Sequence, residues 1–272
     1  MKLLWLTDTH FDHCEGTPQL LGKYLAAEFP SVTGAVISGD ISRAGRFAED
    51  IANFSNGLGA PVWFVLGNHD GWGKAWAEVK ADAKGVPGYL STGKLVKFSD
   101  GIVLTGVNGW YDGYYGDAER SCVGLVDWDR MPDFQSLLHV RTALISQFRR
   151  LSFIEADQAK KNLRKACKLG TTKTVYFATH VPPWLEASHH GRKEDPMWSP
   201  WFTSKLLGDA IFEVSQEYPQ VQFNILCGHS HFGGWCKIAD NVICYTGQAT
   251  YGSPNVCGVL SEHTVKMFSQ PF

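Results

Sequence analysis

The sequence predicts an α/β fold in which two mixed β-sheets form a sandwich with helices on the outside. Apolar, strand-like runs alternate with helical segments through the first part of the chain, which favours parallel pairing. A succession of short strands closes the chain and favours antiparallel pairing. No linker rich in Pro, Gly or Ser divides the 272 residues, so we expect a single domain over residues 1–272.

The first third of the chain alternates predicted strands with predicted helices. A helix from Thr17 to Phe29 has Thr17 as its N-cap and Pro18 in its first position, where the missing N–H of proline is not needed. A second helix, from Arg46 to Asn56, ends close to two glycines. Three strands of buried apolar residues are expected at 2–7, 34–38 and 62–66.

The rest of the chain is less regular. A hairpin is predicted around Ser99-Asp100-Gly101, and loop insertions are predicted near 108–135 and 181–204. Ser204 is the expected N-cap of a late helix. The predicted helices are 136–150, 155–169 and 204–217, and the predicted strands are 95–98, 102–107, 174–178, 223–227, 235–238, 242–245, 258–261 and 264–268.

Composition excludes several classes of protein. The apolar fraction of 44% supplies a sizeable core, and the net charge of −2 indicates neither a basic nucleic-acid-binding surface nor an acidic tail. The apolar start is too short for a signal peptide, and no window has the length of a transmembrane helix. The seven cysteines are scattered, which is typical of a reduced, cytoplasmic protein.

Five clusters of metal-type ligands each follow an apolar run that is predicted to be a strand. Side chains at strand ends can converge on one crevice of an α/β sheet. Carboxylate, imidazole and amide groups suit Mn, Fe or Zn better than a metal that needs thiolates. The clusters are Asp8-Thr9-His10, Gly39-Asp40, Gly67-Asn68-His69-Asp70, Thr179-His180 and Gly228-His229-Ser230-His231.

In this order, the motifs D-x-H, G-D, G-N-H-D, H and G-H-x-H resemble the calcineurin-like metallophosphoesterase superfamily. The resemblance spans Asp8 to His231 and implies a four-layer α/β/β/α sandwich of two mixed β-sheets flanked by helices. The layout is similar to that of class III cyclic-nucleotide phosphodiesterases. The run 198–205 resembles uncharacterised bacterial members of the superfamily, which indicate no substrate. We expect a bacterial-type member that acts on a small substrate.

The resemblance also implies a binuclear metal centre with a bridging hydroxide that attacks the phosphorus of a mono- or diester of a small molecule. In this chain, His69 would contact the phosphate and protonate the leaving oxygen, while Asp70 would hold and polarise His69. Asp40 would bridge two metal ions, with Mn, Fe or Zn expected. The first metal would be bound by Asp8, His10 and His231, and the second by Asn68, His180 and His229.

The chain departs from the Ser/Thr protein phosphatase pattern G-D-x-x-D-R-G directly after Asp40. The segment from Ile41 to Gly45 lacks the aspartate and carries its arginine, Arg43, one position early. Arg43 has two readings: a bidentate donor to a substrate phosphate, or a solvated arginine before a helix.

Two loops are candidates for the walls of the substrate pocket. Trp110 lies in an aromatic segment whose rings could stack on a base or sugar, or fill a satellite core. His190 and Arg192 follow His180 in a loop that could contact substrate or form a polar surface. The alternatives to a small-molecule phosphoesterase are a nuclease or protein phosphatase of the same superfamily, and a catalytically inactive metal-binding scaffold.

Overall fold

The computed structural model describes residues 1–188, 195–262 and 264–268, with the backbone alone at Asp100. Its first sheet has five strands in the order β11-β10-β1-β2-β3. β1, β2 and β3 pair in parallel, whereas β10 joins β1 and β11 in antiparallel register. The strands are β1 (Lys2–Leu6), β2 (Gly34–Ser38), β3 (Val62–Val65), β10 (Gly258–Ser261) and β11 (Thr264–Met267).

The second sheet has six strands in the order β4-β5-β6-β7-β9-β8. β5, β6, β7 and β9 are parallel, and the edge strands β4 and β8 pair antiparallel to their neighbours. The strands are β4 (Val96–Lys97), β5 (Ile102–Gly106), β6 (Thr174–Ala178), β7 (Gln222–Cys227), β8 (Gly234–Ala239) and β9 (Val242–Thr246).

Helices lie on the outer face of each sheet. They are α1 (Pro18–Glu28), α2 (Phe47–Leu58), α3 (Trp76–Lys84), α4 (Val126–Arg130), α5 (Pro132–Gln135), α6 (Arg141–Cys167), α7 (Ser199–Phe202) and α8 (Lys205–Glu217). The predicted cap of α1 is confirmed, because the Thr17 side chain accepts a hydrogen bond from the Leu20 N–H.

Successive side chains of a strand point to opposite faces of its sheet, so each sheet contributes to two layers of the core. Leu4 and Leu6 of β1 pack in a cluster with residues of α1 and α2, while Trp5 joins Tyr176 and Leu226 in a core between the two sheets. A third cluster covers the outer face of the second sheet with α6 and α8. The two mixed sheets and their flanking helices confirm the α/β/β/α sandwich.

One helix prediction was wrong. The predicted pair of helices at 136–150 and 155–169 is one 27-residue helix, α6, because no proline or glycine interrupts it and its buried face runs on through Leu151 and Glu155. Ser204 is the N-cap residue of α8, as predicted, but its side chain makes no capping bond. Its hydroxyl is instead 2.8 Å from the Ser152 hydroxyl on α6.

The aromatic segment near 108–135 is also more ordered than a long loop. It contains α4 and α5, whose Trp128 and Phe134 are buried among aromatic side chains of the core. The helix α3 was not predicted. Within the described residues, no helix is both long and apolar enough to span a bilayer.

Candidate metal centre

The predicted ligands come together where five parallel strands end. Asp8, Asp40 and Asn68 follow β1, β2 and β3 of one sheet, while His180 and His229 follow β6 and β7 of the other. Backbone hydrogen bonds link the loops beyond the strands: the Asp8 N–H donates to Gly39, the His10 N–H to Asp40, and the Gly228 N–H to His180. The loops therefore hold one another in place around a single crevice.

Five non-glycine residues of the described chain have positive φ, and all five are predicted ligands. Their φ values lie between 38° and 67°, in the left-handed region that side chains rarely adopt. Such backbone strain persists only where the surrounding structure enforces it, and it concentrates at functional sites. The five residues are Asp8, His10, Asp40, His229 and His231.

The glycine of each motif leaves room for a ligand from another loop. A Cβ on Gly39 would lie 2.5 Å from His180 Nδ1, and one on Gly67 would lie 2.2 Å from Asp40 Oδ1. A Cβ on Gly228 would lie 2.1 Å from Asp8 Oδ2. The glycines of G-D, G-N-H-D and G-H-x-H are thus required by close approach of side chains.

The first ligand group contains Asp8, His10 and His231. His231 Nε2 lies 3.3 Å from Asp8 Oδ1 and 3.3 Å from His10 Nε2, so two ring nitrogens face each other beside a buried carboxylate. Asp8 also accepts hydrogen bonds from the Thr7 hydroxyl and the His229 N–H. Burial opposes ionisation of Asp8, but the bond to His231 and nearby imidazoles lower its pKa to about 2.

The second group has its ligand atoms fixed by hydrogen bonds behind them. His180 Nδ1 donates to the Ser38 carbonyl at 3.0 Å, which turns Nε2 towards Asp40 Oδ1 at 3.3 Å and Asn68 Oδ1 at 2.9 Å. A nitrogen facing two acceptor oxygens needs a positive charge between them, either a proton or a metal ion. Burial opposes protonation, yet Asp40 raises the pKa of His180 to about 10.

Asp127 sets the orientation of Asn68. Its Oδ1 accepts a hydrogen bond from Asn68 Nδ2 at 2.8 Å and another from Trp72 Nε1 at 2.7 Å. Because the amide nitrogen of Asn68 is hydrogen-bonded to Asp127, the amide oxygen of Asn68 faces His180. A hydrogen-bond partner behind a ligand fixes the ligand's orientation in this way at metal sites.

A hydrogen bond to a backbone carbonyl sets the tautomer of His229. Its Nε2 donates to the Trp201 carbonyl at 2.8 Å, because a carbonyl oxygen can only accept. The Nδ1 lone pair is then free to bind a metal. Burial lowers the pKa of His229 to about 4, so its imidazole is neutral near neutral pH.

These donors fit a pair of metal ions. Among the described residues, three groups of side chains have ligand atoms within 4.8 Å of one another: Asp8 with His10 and His231, Asp40 with His10 and His69, and Asp40 with Asp8 and His180. Asp40 belongs to two of these groups, as expected of a carboxylate that can bridge two ions. Its two oxygens point apart, Oδ1 to His180 and Oδ2 to His10 at 3.8 Å.

His69 lies at the edge of this centre. Its ring stacks on Trp72 with the centroids 3.7 Å apart, and its Nε2 lies 3.9 Å from Asp40 Oδ2 and 3.5 Å from the Tyr251 hydroxyl. Burial lowers the pKa of His69 to about 3, against the attraction of Asp40. The ring is therefore neutral near neutral pH and donates a single N–H.

The predicted contact between Asp70 and the His69 ring was wrong. Asp70 Oδ1 accepts hydrogen bonds from the N–H groups of Ile41 and Ser42, and Oδ2 accepts one from Gly67. A buried carboxylate that follows β3 thus holds the loop after β2. Asp70 positions Asp40 and Asn68 through their backbones, whereas the stacking on Trp72 orients the His69 ring.

A cavity of about 300 Å³ opens beside the ligands. Trp110, predicted as a pocket wall, does not border it: the ring is 1% exposed and packs on Trp76 and Phe134 in the core. Arg43 is exposed and outside the cavity lining, which favours the solvated arginine. His190 and Arg192 lie outside the described residues.

The lining includes residues that the sequence did not single out. Trp72 follows G-N-H-D by two positions, and Phe202 ends α7. Tyr251 lies over the first ligand group, with its ring centroid 4.4 Å from that of His10 and 5.0 Å from that of His231. The signal that could have found Tyr251 is its place in a loop after another parallel strand of the second sheet, β9.

Comparison with known proteins agrees with the fold and the site. The family model for calcineurin-like phosphoesterases matches residues 1–233. A search of curated proteins finds no match.

Several solved structures share the fold at low sequence identity. A dimetal phosphatase from Danio rerio has a TM-score of 0.62 at 13% identity, covering 99% of this chain and 97% of that one. Phosphopantetheinyl hydrolase from Mycobacterium tuberculosis has a TM-score of 0.60 at 15% identity, covering 92% and 90%. GAP50, the anchor in the inner membrane complex of Plasmodium, has a TM-score of 0.51 at 13% identity, covering 94% and 75%.

Fold and ligand arrangement together define a binuclear, metal-dependent hydrolase. The chain belongs to the calcineurin-like phosphoesterase family, and its reaction is the metal-dependent hydrolysis of a phosphate ester.

Proposed function

We propose that the substrate is a mono- or diester of a small molecule. The cavity of about 300 Å³ beside the ligand groups is the observation that supports this. Its volume is at the low end for ligand sites, and its concave shape suits a small molecule better than the flat surface of a folded protein. The formal charge of −2 gives no support to a nucleic-acid substrate.

We propose the following metal ligands. Asp40 would bridge the two ions, which would be Mn, Fe or Zn on the chemistry of their donors. When bound, the pair of ions would supply activated water for attack on phosphorus and positive charge for the phosphoryl oxygens. The first ion would be held by Asp8, His10 and His231, whose ligand atoms lie within 4.8 Å of one another. The second would be held by Asn68, His180 and His229: Asn68 Oδ1 lies 2.9 Å from His180 Nε2, and the bond from His229 Nε2 to Trp201 leaves Nδ1 for the metal.

His69 is the proposed contact to the substrate phosphate. Its neutral ring lines the cavity and offers one N–H to a phosphoryl oxygen. An anionic phosphoryl group beside the ring would raise the pKa of His69, so that the ring could take up a second proton and pass it to the leaving oxygen. Stacking on Trp72 keeps the ring in place for both roles.

The test compares His69→Ala with His139→Ala, which removes an exposed histidine outside the cavity. With alkyl phosphates, which have poor leaving groups, His69→Ala should lower kcat by about 10²–10⁴-fold. Both variants should keep the metal content of the wild type, measured by atomic emission. Full activity of His69→Ala would contradict its role. A metal-loaded wild type that hydrolyses no small phosphate ester would contradict the proposal.

A single domain over residues 1–272 and a cytoplasmic location are part of the same proposal. All seven cysteines lie within the described residues, and all are free thiols. Cys227 and Cys244 lie side by side in the second sheet with their sulfur atoms 3.8 Å apart. Free thiols this close are typical of a reducing compartment.

A further inference from the structure

We propose that the active site selects a substrate with one phosphoryl group and an uncharged, apolar leaving group, such as an aromatic alcohol. This inference rests on the proposed hydrolysis of small phosphate esters. It is drawn from the lining residues of the cavity that lie outside the five ligand motifs.

Aromatic rings among the lining residues border the ligand groups. Trp72 stacks on His69, and the ring of Phe202 lies 4.8 Å from that of His229. Leu125 and Val126 also line the cavity. A flat apolar group attached to the phosphate would therefore contact apolar side chains on several sides.

The charge of the cavity disfavours a second anionic group on the substrate. Among the described residues, no lysine or arginine lines the cavity, whereas the carboxylates of Asp40 and Asp127 do. Arg130 lies against the Trp72 ring at 5.9 Å and is not a lining residue. Two metal ions can neutralise one phosphoryl group, but a carboxylate or further phosphate on the leaving group would find no cationic side chain among the described lining residues.

The apolar wall is held rigid from behind. Trp128, two residues after Val126, is 5% exposed and packs edge-on against Trp201. The Arg141 guanidinium contacts both rings, at 5.0 and 4.5 Å from their centroids, and donates to the Ser121 carbonyl. A wall fixed in this way can discriminate by shape without the entropy cost of ordering a loop on binding.

Three alkyl phosphates with similar leaving alcohols test the proposal: benzyl, 4-carboxybenzyl and glycerol phosphate. We expect kcat/KM for benzyl phosphate to exceed each of the others by about tenfold or more, since an apolar contact of this size discriminates by that order. The matching methyl diesters replace them if the enzyme hydrolyses only diesters. Equal kcat/KM for all three would overturn the inference, whereas no turnover of any ester would refute the proposed function itself.

A charge placed in the wall provides a second measurement. Val126 is 54% exposed and lines the cavity, while Val140 is 52% exposed and lies outside it, so Val126→Lys and Val140→Lys are matched variants. Val126→Lys should raise kcat/KM for 4-carboxybenzyl phosphate relative to benzyl phosphate by about tenfold. Val140→Lys should keep the wild-type ratio. An unchanged ratio in Val126→Lys, with wild-type metal content, would contradict the placement of the leaving group.

Discussion

Asp127 connects the metal centre to the wall of the cavity. One of its oxygens accepts hydrogen bonds from the ligand Asn68 and from Trp72, on which His69 stacks. Burial raises the pKa of Asp127 to about 6. A single side chain thus positions a metal ligand and the ring that supports the proposed phosphate contact.

Replacing Asp127 should weaken metal binding without removing any ligand. Asp127→Ala would leave the Asn68 amide and the Trp72 indole without their acceptor, and loss of such a partner lowers metal affinity by about 10–100-fold. Asp127→Asn is the control, because an amide oxygen in the same place can accept both bonds. Metal titration followed by calorimetry measures the affinities. Equal affinity in Asp127→Ala and the wild type would show that Asn68 holds its orientation unaided.

The sequence predicted Asp8 and its fellow ligands but not Asp127, for a physical reason. Each ligand stands in a short motif directly after an apolar strand, where its chemistry and position can be recognised together. Asp127 acts on Asn68 across a separation of 59 residues, from a helix of five residues. That contact exists only in the folded chain, and no local pattern specifies it.

At the scale of elements, the loops after β2, β3 and β7 are shaped by close approach. In each of them, a Cβ on the motif glycine would overlap a side chain of another loop. The loops after β1, β2 and β7 contain the left-handed residues, because the backbone turns sharply there to bring side chains from two sheets to one point. The metal centre is therefore a property of the strand ends as a set.

Gly67→Ala should disrupt the centre, because its Cβ would lie 2.2 Å from Asp40 Oδ1. Overpacking of this kind costs about 1–3 kcal/mol, and the bridging carboxylate must shift to relieve it. Gly16→Ala is the control, since no atom lies within 4 Å of its added Cβ. Urea unfolding and metal content measure the two effects. Wild-type metal content in Gly67→Ala would show that the loop can relax without moving Asp40.

Sequence patterns predicted the strands better than the helices around the site. β1, β2, β3, β6 and β7 are runs of buried apolar residues with clear boundaries, so their pattern identified them. α4 and α5 have five and four residues, too few for a helical period to show. Their conformation depends on tertiary packing of Trp128 and Phe134, which local sequence does not reveal.

At the scale of the whole molecule, the two sheets pack through an apolar core, and both sheets contribute side chains to the proposed metal centre. Asp8, Asp40 and Asn68 belong to the first sheet, and His180, His229 and His231 to the second. The order of the motifs predicted the sandwich through a family resemblance. It did not specify that β7 lies between β6 and β9 in parallel, because register depends on contacts between distant strands.

Removal of the metals should therefore lower the stability of the entire fold. A ligand bound only by the native state stabilises it by about 2.7 kcal/mol at a free concentration of 100 times Kd. Protein treated with a chelator should melt at a lower temperature than protein in Mn²⁺, and the difference should shrink in mildly acidic buffer, where protons compete for the histidine ligands.

Two carboxylate variants show whether Mn²⁺ raises the melting temperature by binding at the proposed centre or by a general effect of ions on stability. Asp40→Asn removes the bridging carboxylate and should abolish the shift in melting temperature on adding Mn²⁺. Asp240→Asn removes an exposed carboxylate that pairs with Lys237 on the surface and should keep the full shift. Calorimetric melting of both variants with and without Mn²⁺ makes the comparison. A wild-type shift in Asp40→Asn would mean that the stabilising ions bind elsewhere.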